Sequence, residues 1–411
     1  MKQFTIPYSY RSNLISNIKE KRRVVDKMKK DFTPTLLDLG KVKIYLARHF
    51  GFCYGVENAI EIAFKTIEEN EGKRIFLLSE MIHNPQVNDD LKAKGVQFLQ
   101  DSKGNTLIPF ESLTADDVVI IPAFGTTLAI EEKINAIGIS TKKYNTTCPF
   151  VEKVWNRGDQ IAKKNYSVIV HGKHTHEETR ATFSHAAKNA PTVIVNDMAE
   201  AIQLSKYITR SKPKAEFYTE FAGKYSIGFD VEKDLERIGV INQTTMLASD
   251  TQGIADFLKS IMQTQYLLTD DTIAQRFADT RDTLCYATND NQSAMYALLE
   301  QEADFAIVVG GYNSSNTSHL VELCEQKLTT YFINGADKIT NDNTILHFNL
   351  HENAENATPN FMPLDKPINI LISSGASCPD AMVENVIEKI VSLRNVDDKF
   401  IALKEEINIG T

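Results

Sequence analysis

Short apolar segments alternate with longer amphipathic segments along the chain from about Lys41 onward. The short segments are rich in β-branched residues and end at Gly, Asn or other polar residues, which is typical of buried parallel strands. They read VKIYLAR, RIFLLS, DVVIIPA, SVIVHG, TVIVN, FAIVVGG and INILISS. Between them, apolar residues recur at helical spacing, as in residues 56–68, 149–164, 292–302, 318–327 and 380–393. The alternation predicts an α/β fold in which helices cover parallel sheets.

A looser repeat divides this α/β region into three parts. Cys53, Cys148 and Cys285 each lie in a short polar or Gly-containing turn that leads directly into a predicted helix. Because each cysteine falls in a different third of the region, we predict three α/β units, each presenting one thiol from a helix N-terminus. The predicted units are residues 41–147, 148–281 and 282–395, with an N-terminal basic extension at 1–40 and a C-terminal tail at 396–411.

Two segments lie outside this repeat. Residues 341–363 form a predicted insertion, and their many Asn residues and closing prolines favour a loop. His347 and His351 are four residues apart, but the surrounding Asn and Thr residues make a helical metal site a poor interpretation. The basic extension is interpreted as a solvated, partly helical segment, with a docking surface for an acidic partner as the alternative.

Composition and charge exclude several classes of protein. With 42% hydrophobic and 24% charged residues in 411, the chain is typical of a soluble globular protein of two or three domains. No segment approaches the roughly 18 uninterrupted apolar residues of a membrane span, and the N-terminus lacks the apolar core of a signal peptide. The net charge of -9 argues against nucleic-acid binding. We therefore expect a cytoplasmic protein without a membrane or nucleic-acid partner.

The three repeated cysteines have two interpretations. A thiolate at a helix N-terminus is stabilised by the helix dipole, and three converging thiolates can hold three irons of a [4Fe–4S] cluster. The fourth iron would then lack a protein ligand and be open to a substrate oxygen. The alternative is three inert, buried thiols. Cys324, within a helical pattern, is interpreted as an inert core thiol, and Cys378 is left out of the cluster.

Two other groups of residues are suited to anion binding and to proton transfer. GGYNSSNTSHL and SSGASCPDAMVENV each follow a predicted strand and open a helix, so their backbone N–H groups and their Ser and Asn side chains can bind phosphate or merely cap the helices. HGKHTHEETRAT follows another strand and brings a cluster of histidines and glutamates to its end, where they suit proton transfer: His171, His174, His176, Glu177 and Glu178. A structural role at the strand end is the alternative for each histidine, and HEET lacks the spacing of a zinc-protease motif.

Eight motifs in order resemble one known family. GFCYGVENAI, IHNPQVND, TTCPFVEKVW, HGKHTHEETRAT, NQTTM, DTLCYATNDNQSAM, VVGGYNSSNTSHL and SSGASCPD are similar to those of the LytB-type 4-hydroxy-3-methylbut-2-enyl diphosphate reductases. The resemblance spans about residues 45–391. The long form, with AFGTT and an N-terminal extension, is more similar to the plant and cyanobacterial branch than to the shorter bacterial enzymes.

The resemblance implies a trefoil of three α/β units around a central [4Fe–4S] cluster. It implies cluster ligation by Cys53, Cys148 and Cys285. It implies that Glu178 delivers a proton and that Thr244 lies near the substrate hydroxyl. The contacts that it implies for the diphosphate are His83, His176, Ser314, Ser315, Asn316 and Ser377. The chain departs from many bacterial members at Phe124, where they have a histidine, so a third histidine at the diphosphate is not available here.

The implied reaction is the reductive dehydroxylation of an allylic diphosphate to isopentenyl and dimethylallyl diphosphate. No Gly-x-Gly-x-x-Gly fingerprint follows a predicted strand, so the electrons are expected from a ferredoxin or flavodoxin type donor. Two other interpretations remain open. A non-redox [4Fe–4S] hydro-lyase would need no reductant, and an iron–sulfur sensor or scaffold would bind diphosphates without turnover.

Overall fold

The computed structural model describes residues 4–278, 283 and 285–409. The chain divides into two compact units. The first contains Met1–Glu57, His83–Gln86 and Tyr286–Thr411, and the second contains Asn58–Ile82 and Val87–Cys285.

The strands are short, and most of their residues are buried. In chain order they are β1 (Thr35–Asp38), β2 (Val42–Leu46), β3 (Ile75–Leu77), β4 (Gln97–Phe98), β5 (Val118–Ile120), β6 (Ser167–His171), β7 (Thr192–Val195), β8 (Ile238–Asn242), β9 (Phe277–Ala278), β10 (Phe305–Val309), β11 (Thr330–Ile333), β12 (Thr344–Asn349), β13 (Ala354–Pro359) and β14 (Ile368–Ser374).

The helices fill the intervals between the strands. They are α1 (Asn13–Val25), α2 (Tyr54–Glu69), α3 (Pro85–Ala93), α4 (Leu128–Ala136), α5 (Pro149–Ala162), α6 (Glu177–Ala187), α7 (Met198–Ile208), α8 (Lys214–Glu220), α9 (Val231–Asp234), α10 (Ala248–Tyr266), α11 (Tyr286–Leu298), α12 (Ser315–Glu325), α13 (Asp380–Leu393) and α14 (Asp397–Ile409). Short 3-10 helices are formed by Tyr8–Tyr10, Phe110–Ser112, Ile273–Gln275 and Ala336–Lys338.

The first unit is built on one sheet with the strand order β1-β2-β14-β10-β11. Strands β2, β14, β10 and β11 run parallel, and β1 pairs antiparallel to β2 at the edge. All five residues of β10 are buried, as expected for a central strand covered on both faces. Because β10 and β14 are parallel neighbours, the loops that follow them leave the same edge of the sheet.

The second unit contains two parallel sheets. One has the order β4-β3-β5, and the other has the order β7-β6-β8-β9. Apolar residues pack on both faces of the larger sheet: one core includes Ile169, Val193 and Leu258, and the other includes Val168, Ile194 and Ile241. Successive residues of β6 and β7 thus alternate between two separate cores.

The predicted fold class, α/β with parallel sheets, is confirmed. The predicted division into residues 41–147, 148–281 and 282–395 stays a prediction, and its boundary at 281 and 282 lies outside the described residues. The N-terminal segment contributes α1 and β1 to the first unit, with Leu14, Ile15 and Ile18 buried.

The predicted loop at residues 341–363 is wrong in part, because β12 and β13 pair as an antiparallel hairpin there. The Asn-rich composition misled the prediction for a physical reason. Asn343, Asn353 and Asn360 have φ angles of 63°, 51° and 52°, so these residues form the left-handed turns around the strands and do not break them. His347 and His351 bind no common partner: His347 lies 3.0 Å from the Thr358 hydroxyl, and His351 lies 3.3 Å from Glu325.

Within the described part of the chain, every helix is too short or too polar to cross a bilayer.

Packing at the end of β14 gives a stability prediction. A Cβ atom added at Gly375 would lie 2.0 Å from Oγ1 and 3.3 Å from the backbone Cα of Thr317, so Gly375→Ala is expected to lower the free energy of unfolding by about 1–3 kcal/mol. The control is Gly253→Ala within α10, where the new methyl group would meet only Met198 at 3.6 Å. This control should be neutral or stabilising by up to about 1 kcal/mol. Urea unfolding of both variants measures the difference, and equal stabilities would contradict the packing argument.

Candidate functional site

Two Ser-containing loops meet at one edge of the sheet in the first unit. Ser314 is the N-cap of α12, and its hydroxyl accepts the backbone N–H of Thr317 at 3.3 Å. The hydroxyl of Ser377, in the loop after β14, lies 3.4 Å from the Ser314 hydroxyl and donates to the carbonyl of His83 at 3.2 Å. The fold of the first unit therefore brings together three residues that the sequence assigns to the diphosphate: His83, Ser314 and Ser377.

The loop after β10 approaches the His83 segment very closely. A Cβ atom at Gly311 would lie 2.4 Å from the backbone oxygen of His83, so only glycine fits at this position. Thr317 completes the packing, since its hydroxyl donates to the Ser314 oxygen at 2.9 Å. His83 itself is 5% exposed. These contacts fix the loop before any ligand is bound.

Asn316 has a buried hydrogen-bond donor without a partner among the described residues. Its side-chain oxygen accepts the backbone N–H of Ala376 at 2.9 Å and the amide of Asn291 at 3.3 Å. Its Nδ2 atom is buried and unpaired, in a residue that is 4% exposed. An unpaired buried donor costs about 1–3 kcal/mol, which an acceptor ligand would recover. Ser315, half-buried, is the first residue of the same helix, whose N-terminus favours anions.

A buried carboxylate is held at the start of α6 in the second unit. The side chain of Glu178 accepts the backbone N–H of Thr244 at 2.5 Å and the Thr244 hydroxyl at 2.9 Å. Glu178 is 1% exposed, and Thr244 is 6% exposed. Both bonds come from one residue, which approaches the two carboxylate oxygens through two different atoms. The structure thus pairs the two residues that the sequence assigns to catalysis.

His176 precedes this carboxylate as the N-cap of α6. Its Nδ1 atom accepts the backbone N–H of Glu178 at 3.2 Å, so the ring is fixed and the Nε2 atom faces away from the helix end. The Phe124 ring meets the His176 ring edge-on, with a centroid distance of 5.6 Å and an angle of 85°. Phe124 therefore packs against a predicted diphosphate contact and supplies no polar atom of its own.

The other histidines of the same motif are separate from this pair. His171 lies within β6 with its Nδ1 atom 2.9 Å from the Thr251 hydroxyl, and His174 is exposed. The sequence reasoning overlooked Gln243, which is fully buried beside Thr244. The Gln243 side-chain oxygen accepts from the Thr179 hydroxyl at 2.8 Å and from the Lys173 backbone at 3.3 Å. The NQTTM motif contains Gln243. A polar residue directly after a wholly buried strand was the signal that could have identified it.

Each of the three predicted cluster cysteines directly precedes a helix. Cys53 precedes α2, and its backbone N–H donates to the Ala376 carbonyl at 3.2 Å, next to Ser377. Burial raises the pKa of the Cys53 thiol, while hydrogen bonds from the backbone N–H groups of Val56 and Gly55 act to lower that pKa. These N–H groups are suited to stabilise a thiolate that is bound to a metal.

Cys148 and Cys285 lie in comparable positions in the second unit. Cys148 is the N-cap of α5, and its backbone N–H donates to Ala123 at 2.9 Å. Cys285 is buried and directly precedes α11. Cys324 differs from both, because it lies within α12 with its sulfur 3.3 Å from the Met295 sulfur. Burial raises the pKa of Cys324 and of Cys378 to about 12.

The local chemistry of the three cysteines fits thiolate ligation of iron. Cys53 belongs to the first unit, and Cys148 and Cys285 belong to the second. Within either unit, the described residues contain no group of three His, Cys, Asp or Glu side chains arranged to hold a metal ion. What supports the ligand role is the shared setting of a sulfur at a helix N-terminus, which Cys324 and Cys378 lack.

A separate cavity of about 250 Å³ opens in the second unit. It is lined by residues that include Thr126, Glu177 and Arg180, and none of the predicted site residues lines it. The Arg180 guanidinium donates to the carbonyls of Ser102, Lys103 and Thr175 at 2.6–3.3 Å. The Arg180 guanidinium is therefore bound to backbone oxygens.

The hairpin β12–β13 contacts the residue that follows Gly311. Tyr312 stacks on Phe348 of the hairpin with a centroid distance of 4.6 Å and an angle of 15°. Its hydroxyl donates to the Glu355 carboxylate at 3.0 Å, and the Lys338 ammonium lies 2.7 Å from the same carboxylate oxygen. Burial and the Glu355 charge raise the pKa of Tyr312. The hairpin therefore supports the loop between β10 and α12.

Comparison with known proteins gives consistent matches. A family model described as LytB protein matches residues 44–391. A 4-hydroxy-3-methylbut-2-enyl diphosphate reductase from Cyanothece sp. is 38% identical over 396 residues, covering 96% of this chain and 92% of the relative. Another from Thermosynechococcus vestitus is 40% identical over 358 residues, covering 87% and 86%. These cyanobacterial relatives confirm the resemblance that the ordered motifs predict.

A solved structure has the same fold. It is that of the E-1-hydroxy-2-methyl-but-2-enyl-4-diphosphate reductase from Plasmodium falciparum, which matches with a TM-score of 0.60 and 20% sequence identity. The match covers 85% of this chain and 87% of that one. At this identity the likeness demonstrates a shared fold and nothing further.

The unpaired amide of Asn316 gives a binding prediction. Asn316→Asp keeps an oxygen that can accept from Ala376 and Asn291, but it replaces the free donor with a negative charge. We expect binding of inorganic pyrophosphate, measured by calorimetry, to weaken by about 100-fold or more.

Asn349→Asp is the matched control. Asn349 also accepts two backbone N–H groups through its side-chain oxygen, from His351 and Glu352, and it lies in the hairpin. This variant adds the same charge to the same unit and should bind pyrophosphate like the parent. Equal weakening in both variants would mean that general charge, and not the Asn316 donor, controls binding.

Proposed function

The chain belongs to the LytB protein family, and from this premise we propose that it reduces 4-hydroxy-3-methylbut-2-enyl diphosphate to isopentenyl and dimethylallyl diphosphate. It is an oxidoreductase of the non-mevalonate pathway. In the balanced reaction, the allylic C–O bond breaks, two electrons and two protons are consumed, and one water molecule leaves. The structural observation that carries the proposal is the buried Glu178 carboxylate with its two hydrogen bonds from Thr244.

Neutral donors hold the diphosphate in this proposal. Ser314, Ser315, Asn316 and Ser377 supply hydroxyl and amide groups, and the N-terminus of α12 supplies backbone N–H groups. The proposal also assigns diphosphate contacts to the imidazoles of His83 and His176. The unpaired Nδ2 atom of Asn316 supports it, because a phosphate oxygen would satisfy that donor. The chain carries a net charge of -9, so a site built from oriented dipoles avoids dependence on the overall field.

Glu178 delivers the proton to the departing hydroxyl group. Thr244 fixes both carboxylate oxygens, so the acid keeps one orientation through the reaction. Burial of Glu178 keeps bulk water away from that proton. In this proposal the Thr244 hydroxyl, which donates to Glu178, also hydrogen-bonds to the substrate oxygen. His176 is fixed through its Nδ1 atom, and we assign its Nε2 atom to a phosphate oxygen.

We assign the ligands of a [4Fe–4S] cluster to Cys53, Cys148 and Cys285. When bound, such a cluster supplies electrons one at a time and a Lewis-acidic iron without a protein ligand. The N–H groups of Val56 and Gly55 act on the Cys53 sulfur, which supports the ligand role of this residue. Cys324 and Cys378 take no part.

The electrons come from a separate protein of the ferredoxin or flavodoxin type in this proposal. The sequence lacks the glycine fingerprint that would bind a nicotinamide or flavin dinucleotide in a βαβ unit. The five cysteines, all within the described residues, form no disulfide, which is consistent with a reducing compartment. We propose the cytoplasm as that compartment.

Removing the acid of Glu178 tests its role. Glu178→Gln preserves side-chain volume and an oxygen that can accept the Thr244 N–H, so folding and the visible spectrum of the reconstituted enzyme should stay unchanged. Turnover of the substrate should fall by about 100-fold or more, with a small change in KM. Glu132→Gln on the exposed face of α4 is the control and should retain parental turnover. Near-parental turnover of Glu178→Gln would remove this residue from proton delivery.

The cysteine assignment is tested by iron content. Cys53→Ala, Cys148→Ala and Cys285→Ala should each lower the iron bound per chain after anaerobic reconstitution and reduce the charge-transfer absorbance. Cys324→Ala and Cys378→Ala are built-in controls, because Cys324 lies within α12 and Cys378 does not directly precede a helix. Iron loss in the controls equal to that in the other three variants would contradict the assignment.

A further inference from the structure

The end of α1 and the turn that follows it form an exposed surface of mixed character, here called the basic turn (residues 23–30). Val24, Val25 and Met28 are 64%, 87% and 74% exposed, although they are apolar. They are interspersed with Arg23, Lys27, Lys29 and Lys30. An apolar centre with a charged rim is the composition of a protein docking surface.

Three lysines of the basic turn have no ion pair among the described residues. Three other basic side chains of the extension each pair with an acid: Lys19 with Asp380, Arg22 with Asp31 and, within the basic turn itself, Arg23 with Glu20, at 2.6–2.8 Å. Lys27, Lys29 and Lys30 have no such acid. Lys27 and Lys30 are exposed and Lys29 is half-buried, on a chain whose net charge is -9.

The basic turn is a fixed structure. The Asp26 carboxylate accepts the backbone N–H groups of Lys30 at 3.1 Å and Asp31 at 3.0 Å, which closes the turn. Arg22 donates to the Thr33 carbonyl at 2.8 Å, which anchors the chain beyond the turn. A surface that is already formed loses little conformational entropy when a partner binds.

The N-terminal extension also contacts the segment that connects β2 to Cys53. Asp26 lies 4.0 Å from Arg48, and the Phe32 ring meets the His49 ring edge-on at 5.6 Å. Lys19 donates to the Phe50 carbonyl at 2.9 Å. The extension thus touches residues 48, 49 and 50 in turn, just before the predicted cluster ligand.

Positive charges act on His49, in the segment between β2 and Cys53. The pKa of His49 is lowered to about 4, first by burial and then by the charges of Arg48, Lys29 and Lys19. Of these charges, Lys29 belongs to the basic turn, so this lysine acts on a residue close in sequence to Cys53, where electrons have to arrive in the proposed function.

We propose that the basic turn is the docking surface for an acidic, one-electron carrier protein. The inference rests on the proposed function, and it names the place where the external reductant binds. An acidic carrier is repelled by the average charge of this chain, so a local basic surface decides where it docks and how fast it associates. Two successive encounters, each oxidising one carrier by one electron, supply the two electrons of a turnover.

The experiment compares two reductants. The triple variant Lys27→Glu, Lys29→Glu, Lys30→Glu is assayed with reduced ferredoxin of an acidic type and, separately, with dithionite and methyl viologen. At low ionic strength, we expect the KM for ferredoxin to rise by about tenfold or more and its salt dependence to weaken or reverse. Turnover with the small reductant should equal that of the parent, because folding, the cluster and the substrate site are untouched.

A matched control separates docking from total charge. Lys163→Glu, Lys164→Glu, Lys188→Glu makes the same charge change at exposed positions of the second unit that have no ion pair among the described residues. This control should retain the parental KM for ferredoxin. A second variant, Val24→Ser, Val25→Ser, Met28→Ser, removes the apolar centre and should also raise that KM while keeping viologen turnover.

Three outcomes would overturn the inference. They are an unchanged ferredoxin KM in the basic-turn variant, an equal rise in the control, or an equal loss with both reductants. Failure of the proposed function is distinct from these, because the parent enzyme would then show no turnover of the substrate with either reductant.

Discussion

The candidate site of the first unit depends on the hydrogen bonds made by the segment from Ala376 to Ser377. The Ala376 N–H donates to Asn316, the Ala376 carbonyl accepts from Cys53, and the Ser377 hydroxyl contacts both Ser314 and the His83 carbonyl. Each such bond contributes about 1 kcal/mol on its own. Their importance is geometric, because two consecutive residues fix the turn that contains Cys53 and the loop between β10 and α12 relative to each other.

The charge of the chain explains the choice of donors. In a chain with a net charge of -9, the anion loops use hydroxyls, amides and a helix N-terminus, and these dipoles stay in place at any ionic strength. The basic turn instead presents lysines, of which Lys27 and Lys30 are exposed and Lys29 is half-buried, and we propose that it attracts a protein partner. A small substrate needs precise donors at contact distance, whereas a protein partner responds to a field over about 10 Å.

Sequence patterns predicted most of the fold and many of the contacts, for identifiable reasons. Strand β10 is wholly apolar and ends in two glycines, so its position and the loop after it could be read directly. Roles for Glu178 and Thr244 were expected from motif resemblance, but the hydrogen bonds between them depend on β6 and β8 being neighbours, which no local pattern contains. The unpaired amide of Asn316 could not be predicted from the sequence either. Ala376 and Asn291 both donate to its side-chain oxygen, which leaves its Nδ2 atom without an acceptor among the described residues. The hairpin was missed because its Asn residues were interpreted as loop formers, when they form the tight turns around two real strands.

The hairpin β12–β13 has a consequence for how this enzyme can diverge from its relatives. It holds Tyr312 by a ring stack and a hydrogen bond, and Tyr312 is one residue away from the glycine that fits against His83. Substitution of Phe348 or Glu355 is therefore expected to shift the loop without altering any residue that we propose to contact the diphosphate. The hairpin offers a way to adjust substrate affinity from outside the proposed site.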